Sequence, residues 1–220
     1  MGRENLVDQV VSALTQAILS GQLAPGAHLS ESTIARDMGL SRAPVREAAR
    51  LMESTGLVVS HPNRGFFVRK VTADALETLY ELRMSIEVSA ITRIVRIGAR
   101  DVVPLLEAQT AQMENLTGPD DTAAHIDADM QFHRLICAHC GNDRFLAVSD
   151  QIANELRLCV MLIGHLYSDA HQIALTHAPI VAALATEDAE AARAAMEHHL
   201  GDAQARVVAL FREIEAKQTP

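Results

Sequence analysis

The chain has 220 residues, of which 49% are hydrophobic and 3% aromatic, with 19 Lys and Arg against 28 Asp and Glu and a formal net charge of −9. This length suits one small domain and one larger domain, and the apolar content is sufficient for a sizeable core. Three cysteines exclude a disulfide framework, and the longest uncharged apolar run, residues 158–164, is far shorter than the roughly 20 residues that a membrane span needs. The N-terminus has no secretory pattern, so we expect a cytoplasmic protein without a membrane segment.

Two short helices joined by a tight turn are predicted by the stretch LSESTIARDMGLSRAPVREAARLMES. Ser30 can cap a helix over residues 31–38, and Gly39 can end it. Ser41 is expected to cap the second helix, which has Pro44 in its first turn, where a missing N–H costs little. Three apolar residues are predicted to share one face of this helix and three arginines another, namely Ala48, Leu51 and Met52, and Arg42, Arg46 and Arg50. Such a helix suits a DNA major groove.

A hairpin is predicted after these helices, where the apolar runs LVVS and FFV flank the turn HPNRG. Arg64 and His61 at its tip would lie along the DNA backbone or reach into the minor groove. The order of helix, turn, helix and hairpin is that of a winged helix-turn-helix. The arginine-bearing helix alone is also compatible with an amphipathic surface helix, but the elements on either side of it favour DNA binding.

The stretch LSESTIARDMGLSRAPVREAARLMESTGLV, followed by HPNRGFFV, resembles the DNA-binding domain of GntR-family bacterial transcription regulators over about residues 7–71. The resemblance implies that DNA is contacted by Ser32, Ser41, Arg42, Ala43, Arg46 and the wing glycine Gly65, to which the hairpin adds Arg64. Ala43 stands where the family usually has a hydroxyl residue, and Ser32 where an arginine is common. Each departure puts one hydrogen bond to DNA in question.

Charge is distributed unevenly along the chain. Residues 1–71 hold eight basic and six acidic residues, a net of +2, whereas the remainder holds eleven basic and 22 acidic residues, a net of −11. Salt screens charges beyond about 8 Å, so the local sign of the DNA-facing surface outweighs the total. We therefore predict a DNA-binding domain over 1–71 and an all-helical effector-binding and dimerisation domain over 72–220.

From residue 72 onward the apolar periodicity is helical almost throughout, and abundant Ala and Leu favour helices over sheets. Leu76, Leu79, Leu82 and Ile86 mark the first of six predicted helices, which run over about 72–98, 102–116, 120–138, 142–166, 176–185 and 187–217. The predicted fold class is mainly α, an N-terminal winged helix-turn-helix followed by a C-terminal antiparallel helical bundle. Bundles build ligand and metal sites from inward side chains of facing helices.

Four side chains of this bundle could form a metal site. Asp129 and His133 are four residues apart and project from one helix face, His177 opens the fifth helix, and His199 lies in the last. One carboxylate and three imidazoles suit zinc or another first-row divalent ion. Each residue also has an ordinary interpretation, as a hydrogen-bonded core histidine or a solvated helix pair.

The pattern D-x2-FH-x-L, then H-x2-I, then HL resembles the all-helical effector domain of FadR-type GntR regulators, over about residues 76–210. The resemblance implies a divalent metal, zinc or alternatively nickel or another first-row ion, held by Asp129, His133, His177 and His199. His198 is the register alternative to His199. It also implies a cavity above the metal for a small carboxylate or sugar acid effector.

Arg83 is a candidate second anchor for such an effector, because guanidinium groups bind carboxylates bidentately. The alternative for Arg83 is a surface ion pair with Glu87, and Arg157 is a weaker candidate anchor. Effector binding is expected to re-space the two recognition helices of a homodimer, since only one spacing matches major grooves about 34 Å apart. A dimer is expected because one recognition helix reads too few base pairs.

The motif Cys137-Ala138-His139-Cys140 could bind zinc or cycle between thiol and disulfide, but ordinary packing at a helix end is favoured. Two other functions are open, a metallohydrolase whose metal activates water and a DNA-binding protein with a purely structural bundle. A complete DNA-reading module without an identifiable general base argues against the hydrolase, and an absence of bound metal and of a ligand response would favour the structural bundle. We predict a transcription regulator, not an enzyme, that binds an operator in double-stranded DNA and responds to a small organic acid.

Overall fold

The computed structural model describes residues 5–116, 118, 121–163 and 170–218. The chain separates into two compact units, Met1–Val71 and Thr72–Pro220, and each is described by itself. The first unit contains, in chain order, α1 (Leu6–Leu19), β1 (His28–Leu29), α2 (Glu31–Asp37), α3 (Arg42–Ser54), β2 (Val58–His61) and β3 (Gly65–Val68). The second contains α4 (Ala73–Ile97), α5 (Val103–Asn115), α6 (Thr122–His139), α7 (Asp143–Ile163), α8 (Ala170–Leu175), α9 (Ala178–Ala185) and α10 (Ala189–Gln218).

In the first unit, α1 and α2 pack against α3. Ser30 caps α2, since its hydroxyl accepts a hydrogen bond from the backbone N–H of Thr33 at 3.4 Å. Ser41 occupies the predicted N-cap position of α3. The predicted capping hydrogen bond is wrong, because the side chain of Ser41 makes none. The predicted apolar face is wrong at Leu51, which is 47% exposed. The face that α3 buries consists of Val45, Ala48, Ala49 and Met52.

The predicted hairpin is present as the wing of a three-stranded antiparallel sheet with the order β1-β3-β2. His61 pairs with Gly65 at the end of the ladder, and the backbone N–H of Arg64 donates to the carbonyl of His61 at 3.0 Å. The turn requires positive φ at Asn63 (59°) and Gly65 (84°), which Asn and Gly tolerate best. The basic residue Arg64 is therefore held at the tip of a tight turn.

The second unit is a bundle in which α4 packs along α10 and against α6 and α7, while α5 packs on α6. Its core is mostly aliphatic, with Ile91, Ile94, Leu106 and Leu184, and also contains the ring of Phe132. Among the described residues, no helix has the length and apolar character needed to cross a membrane.

The predicted and observed helices of this bundle differ at a few points. The short helix α8 was not predicted, and α9 begins at Ala178 rather than Thr176 because Thr176 and His177 form the turn between them. The predicted start at Asp120 and the predicted end over 164–166 lie outside the described residues. On α4, Leu82 is exposed, contrary to prediction. The buried stripe instead follows a spacing of four and three residues, Leu76, Tyr80, Arg83, Glu87, Ala90 and Ile94.

Candidate metal centre and nucleic-acid interface

The start of α3 exposes the side chains that were predicted to meet DNA. Ser41, Arg42, Ala43 and Arg46 are all exposed, and the side chains of Arg42 and Arg46 retain 63% and 52% of their accessible surface. An exposed pair of arginines one turn apart at a helix start suits phosphate or base contacts in a major groove. The structure thus brings these four residues together on one surface.

Both arginines are bound by one carboxylate, that of Glu31 at the start of α2. Arg46 donates from Nε to Oε1 at 3.0 Å and from Nη2 to Oε2 at 2.8 Å, and Arg42 donates from Nη2 to Oε2 at 3.2 Å. The hydrogen bond from Arg46 is the largest cause of a lowered pKa for the Glu31 carboxyl. Sequence reasoning missed this residue, which lies eleven and fifteen positions from its two partners in the chain.

The other predicted DNA contacts lie at α2 and in the wing. Ser32 is exposed and its hydroxyl lies 3.2 Å from that of Ser30. Arg64 stacks on the ring of Phe67, 5.4 Å from its centroid. A Cβ on Gly65 would come within 3.2 Å of the His28 ring, a tight contact that a small shift of the ring would relieve, so the positive φ is the main reason for glycine there. His28, on β1, is a basic wing neighbour that sequence reasoning missed.

In the second unit, the structure brings together the four predicted metal ligands. Asp129 and His133 lie on α6, His177 precedes α9, and His199 lies on α10. One nitrogen of each of the three histidines lies within 4.8 Å of the others. Nε2 of His199 is 3.3 Å from Nε2 of His133, and Nε2 of His177 is 3.3 Å from Asp129 Oδ1. His198 is instead exposed beside Asp202.

Each imidazole is held at Nδ1 by an oxygen acceptor. His133 Nδ1 lies 2.6 Å from the Glu87 carboxylate, and His177 Nδ1 lies 3.0 Å from the carbonyl of Ile173. The hydroxyl of Thr176 donates to the carbonyl of Ile173 at 2.6 Å, so its lone pair accepts from His199 Nδ1 at 3.0 Å. These acceptors fix the protons of the three rings on Nδ1, which leaves all three Nε2 lone pairs facing the centre.

The donor set fits a divalent metal. Two Nε2 lone pairs only 3.3 Å apart repel unless a cation lies between them, and four ligands at about 2.1 Å from zinc would themselves stand about 3.4 Å apart. Nε2 of His177 is buried and has no hydrogen-bond partner within the described part of the chain. Three imidazoles and one carboxylate are borderline ligands that suit zinc and other first-row divalent ions.

Burial sets the charges of these groups. It lowers the pKa of His133 and lowers that of His199 to about 2, so both rings are neutral and able to act as ligands near pH 7. Burial alone raises the pKa of Glu87, but His133 and Arg83 outweigh it and lower the value to about 2. Burial likewise raises the pKa of Asp129, but its neighbours His177, His133 and Arg83 outweigh burial and hold this pKa well below its usual range.

A cavity of about 200 Å³ opens beside these ligands, with Asp129, His133 and His199 in its wall. Arg83 lines it as well, only 3% exposed, and its Nε donates to Glu87 Oε1 at 2.7 Å. The prediction of a surface pair with Glu87 is therefore wrong about the surface, since the pair is buried. In the described residues Arg83 Nη2 has no hydrogen-bond partner. Arg83 is thus both partner of Glu87 and cavity-lining cation.

The remaining sequence candidates lie elsewhere. Arg157 binds the carboxylate of Asp127, with Nη2 at 3.0 Å from Oδ2. The cysteines Cys137, Cys140 and Cys159 are buried, and none of them is in a disulfide within the described residues. Burial and the charge of Glu87 raise the pKa of the Cys137 thiol to about 12, which disfavours the thiolate that redox or metal chemistry needs. Glu87 and Thr176 are the functional residues that sequence reasoning did not assign to the metal site.

Together, a winged helix-turn-helix and a helical bundle with an internal cavity define a transcription regulator with a ligand-binding domain. Residues 6–68 match the family of bacterial regulatory proteins of the gntR type, and residues 78–202 match the FCD domain. The chain belongs to the GntR family and carries an FCD effector-binding domain, and these findings do not support a hydrolase.

Individual relatives agree with this membership. One relative is an HTH-type transcriptional regulator in the TAR-I ttuE-ttuC' intergenic region of Agrobacterium vitis. The two sequences are 31% identical in an alignment that covers 60% of this chain and 79% of the relative. Another relative is the gluconate operon transcriptional repressor of Bacillus subtilis, with 24% identity in an alignment that covers 92% of this chain and 85% of the repressor. A crystal structure of a GntR regulator from Rhodococcus sp. RHA1 superposes with a TM-score of 0.71 at 27% identity, covering 92% of this chain and 97% of that one.

Proposed function

We propose that this regulator works in the cytoplasm as a homodimer whose operator affinity is set by a small organic acid, bound beside a divalent metal that Asp129, His133, His177 and His199 hold. Zinc is the metal that this donor set fits first, with nickel and other first-row ions next. The operator is bound by α2, α3 and the wing, through Ser32, Ser41, Arg42, Ala43, Arg46, Arg64 and Gly65.

The observation that carries the metal proposal is an oxygen atom beside Nδ1 of each imidazole, with the three Nε2 atoms on the side of one common centre. Glu87, the carbonyl of Ile173 and Thr176 hold the three Nδ1 protons, and all three Nε2 atoms converge. A histidine that only packs in a core needs hydrogen bonds at both nitrogens, whereas His177 Nε2 is buried without one among the described residues. Outer-shell acceptors of this kind orient histidines that bind metals.

The chemistry of the cavity supports an anionic effector. A divalent ion held by these four residues would supply positive charge that attracts a carboxylate. Arg83 supplies a second cation with an unused Nη2, and the stack of its guanidinium 5.5 Å from the Tyr80 ring centroid holds it in place. The relative from Bacillus subtilis is named for a gluconate operon, and gluconate is a small sugar acid. A carboxylate that spans the metal and Arg83 fits both contacts.

The first test measures metal. Tag-free protein purified without added metal is analysed by mass spectrometry before and after dialysis against a chelator, beside the variants His177→Ala and His198→Ala. We expect about one divalent ion per chain in the wild type and in His198→Ala, and little in His177→Ala. Metal-free wild type that regains neither metal nor thermal stability on addition of zinc would refute the metal site and favour a purely structural bundle.

The second test asks whether an organic acid that binds the protein changes its affinity for the operator. Gluconate, malate and citrate are screened by thermal shift with and without chelator, and any acid that stabilises the protein is tested for its effect on operator retention. Arg83→Lys keeps the charge next to Glu87 but loses the planar fork, so we expect it to bind metal yet respond less to acid. Arg157→Lys is the control. An acid that stabilises the protein without changing operator affinity would contradict the proposed regulation.

A further inference from the structure

The most unexpected contact on the recognition surface is the carboxylate of Glu31 beneath two arginines. The side chain of Glu31 is only 14% exposed, while those of Arg46 and Arg42 are more than half exposed. Both oxygens of Glu31 accept hydrogen bonds from these side chains. Glu31 is therefore the more buried partner, and it leaves more than half of each arginine side chain exposed to solvent.

The bonds to Glu31 use only part of each guanidinium. In Arg46 they occupy Nε and Nη2, and in Arg42 only Nη2, so Arg46 Nη1 and Arg42 Nε and Nη1 take no part in them. A guanidinium fixed on one edge has lost most of its rotamer freedom before DNA arrives. Bidentate contact to guanine O6 and N7 requires such a fixed direction, whereas contact to a phosphate does not.

The carboxylate also changes the local charge. One negative charge faces two positive ones, which leaves the three side chains with a net charge of +1 instead of +2. Affinity for DNA of any sequence comes mostly from neutralised phosphates, so Glu31 competes directly with that mode of binding. Contacts to base edges, which carry specificity, gain from the fixed geometry instead.

We propose that Glu31 is a specificity-determining positioning residue, which orients Arg46 and Arg42 towards base edges and withholds them from the phosphates of non-operator DNA. The inference rests on operator binding by α3. Loss of Glu31 then strengthens binding to unrelated DNA and lowers the ratio of operator to non-operator affinity. A residue with a merely structural role would weaken both.

The test uses the full-length protein and two duplexes of equal length and base composition, one enriched by the wild type from a randomised pool and one shuffled. For Glu31→Gln, one added phosphate contact steepens the salt dependence by about 0.9 and tightens binding to the shuffled duplex about eightfold at 0.1 M salt. The operator should not gain by this factor, so the affinity ratio falls several-fold.

The matched control is Asp8→Asn, which removes an exposed acid from the first turn of α1 in the same unit. Its salt slope and affinity ratio should equal those of the wild type. If Glu31→Gln gains the same affinity for both duplexes, Glu31 acts only as a charge that repels DNA. If the variant loses affinity for both duplexes and its salt dependence is unchanged, Glu31 has a structural role. Either result overturns the proposal, as does an unchanged variant.

A second variant, Glu31→Asp, tests the proposal if circular dichroism shows that Glu31→Gln does not fold. Glu31→Asp keeps the charge and the acid at the helix start but is one methylene shorter, so it cannot hold both arginines in the same geometry. Its salt slope should stay at the wild-type value while the affinity ratio falls. An unchanged ratio would overturn the proposal, and a wild type that enriches no sequence would overturn operator binding as well.

Discussion

Two carboxylate clusters in this molecule use the same chemistry in opposite surroundings. In the first unit, Glu31 binds Arg42 and Arg46, whose side chains are more than half exposed. In the second unit, Glu87 binds Arg83 at 2.7 Å and His133 at 2.6 Å, and all three side chains are about 4% exposed or less. Both clusters contain a glutamate that is hydrogen-bonded to the guanidinium group of an arginine. The main difference between the two clusters is their burial.

Burial decides whether such a cluster can be rearranged. Exposed ion pairs contribute little to stability, so the contacts of Glu31 with Arg42 and Arg46 can be changed without unfolding the domain. A buried charge that loses its partner costs several kcal/mol, so Arg83, Glu87 and His133 are bound into one fixed unit. The exposed cluster suits a surface whose oriented arginines keep free edges for DNA, and the buried cluster suits a scaffold that keeps ligand atoms in place.

The largest expected effect comes from breaking the buried cluster. Glu87→Ala leaves the Arg83 charge buried and removes the acceptor of His133 Nδ1. We expect the free energy of unfolding to fall by about 3–5 kcal/mol, measured by circular dichroism in urea. The control is Glu197→Ala, which breaks an exposed pair with Arg193 at the same i,i+4 spacing and should cost less than about 1 kcal/mol. Similar losses in the two variants would contradict the role given to burial.

A pH dependence follows from the buried histidines. The pKa of His199 in the folded, metal-free protein is lowered to about 2 by burial, whereas an unfolded histidine titrates near 6.5. The unfolded chain therefore binds more protons below pH 6.5, and stability rises with pH. Between pH 7 and pH 5 we expect metal-free protein to lose about 2 kcal/mol through His199 alone.

The depressed carboxyl pKa values do not obscure this window. Stability contributed by Glu87 and Asp129 is present above the unfolded carboxyl values and is lost only at lower pH. Urea unfolding at pH 7, 6 and 5 measures the slope in the wild type, in His199→Gln and in the exposed control His198→Gln. His198→Gln should keep the slope and His199→Gln should reduce it. A flat wild-type profile would be inconsistent with a neutral, buried His199.

A smaller effect is expected at the outer shell of the metal ligands. Thr176→Val removes the hydroxyl that accepts from His199 Nδ1 while nearly conserving volume. Loss of an orienting acceptor typically costs tenfold or more in metal affinity, so we expect about tenfold weaker zinc binding in a competition titration with a chromophoric chelator. Thr186→Val, whose hydroxyl bonds only to carbonyls of its own helix, is the control. Equal affinities in both variants would show that the fixed tautomer of His199 has no part in binding.

Much of this architecture was predictable because it depends on local pattern. The wing followed from apolar runs around a Pro-Asn-Arg-Gly turn, and α3 from a periodic stripe with Pro44 in its first turn. Of the candidate ligands, Asp129 and His133 needed only helical spacing. The convergence of His177 and His199 on them followed from the resemblance to an effector domain, because pattern alone cannot fix the distance between residues on separate helices.

The misses have physical causes as well. Leu51 and Leu82 were assigned to buried faces by hydrophobicity, although single apolar side chains are often exposed. Glu87 was considered only as a surface partner of Arg83, because an acidic residue four positions from an arginine on a helix is usually solvated, and Glu31 was missed. For Glu87 a signal existed, since it lies on the stripe of Leu76, Tyr80 and Arg83 that four-and-three spacing defines. For Glu31, eleven and fifteen residues separate it from its partners, and only the fold brings them together.

The smallest effect is expected from Glu31→Gln on stability, in contrast to its effect on DNA. The variant breaks the hydrogen-bonded ion pairs to Arg46 and Arg42 and removes an acid from the first turn of α2. Both guanidinium groups are exposed enough to be hydrated by water instead, and the helix-dipole contribution is at most about 1 kcal/mol. We therefore expect the urea-unfolding free energy to change by less than about 1 kcal/mol. A loss as large as that of Glu87→Ala would mean that the two clusters are equally structural, and that exposure does not separate them.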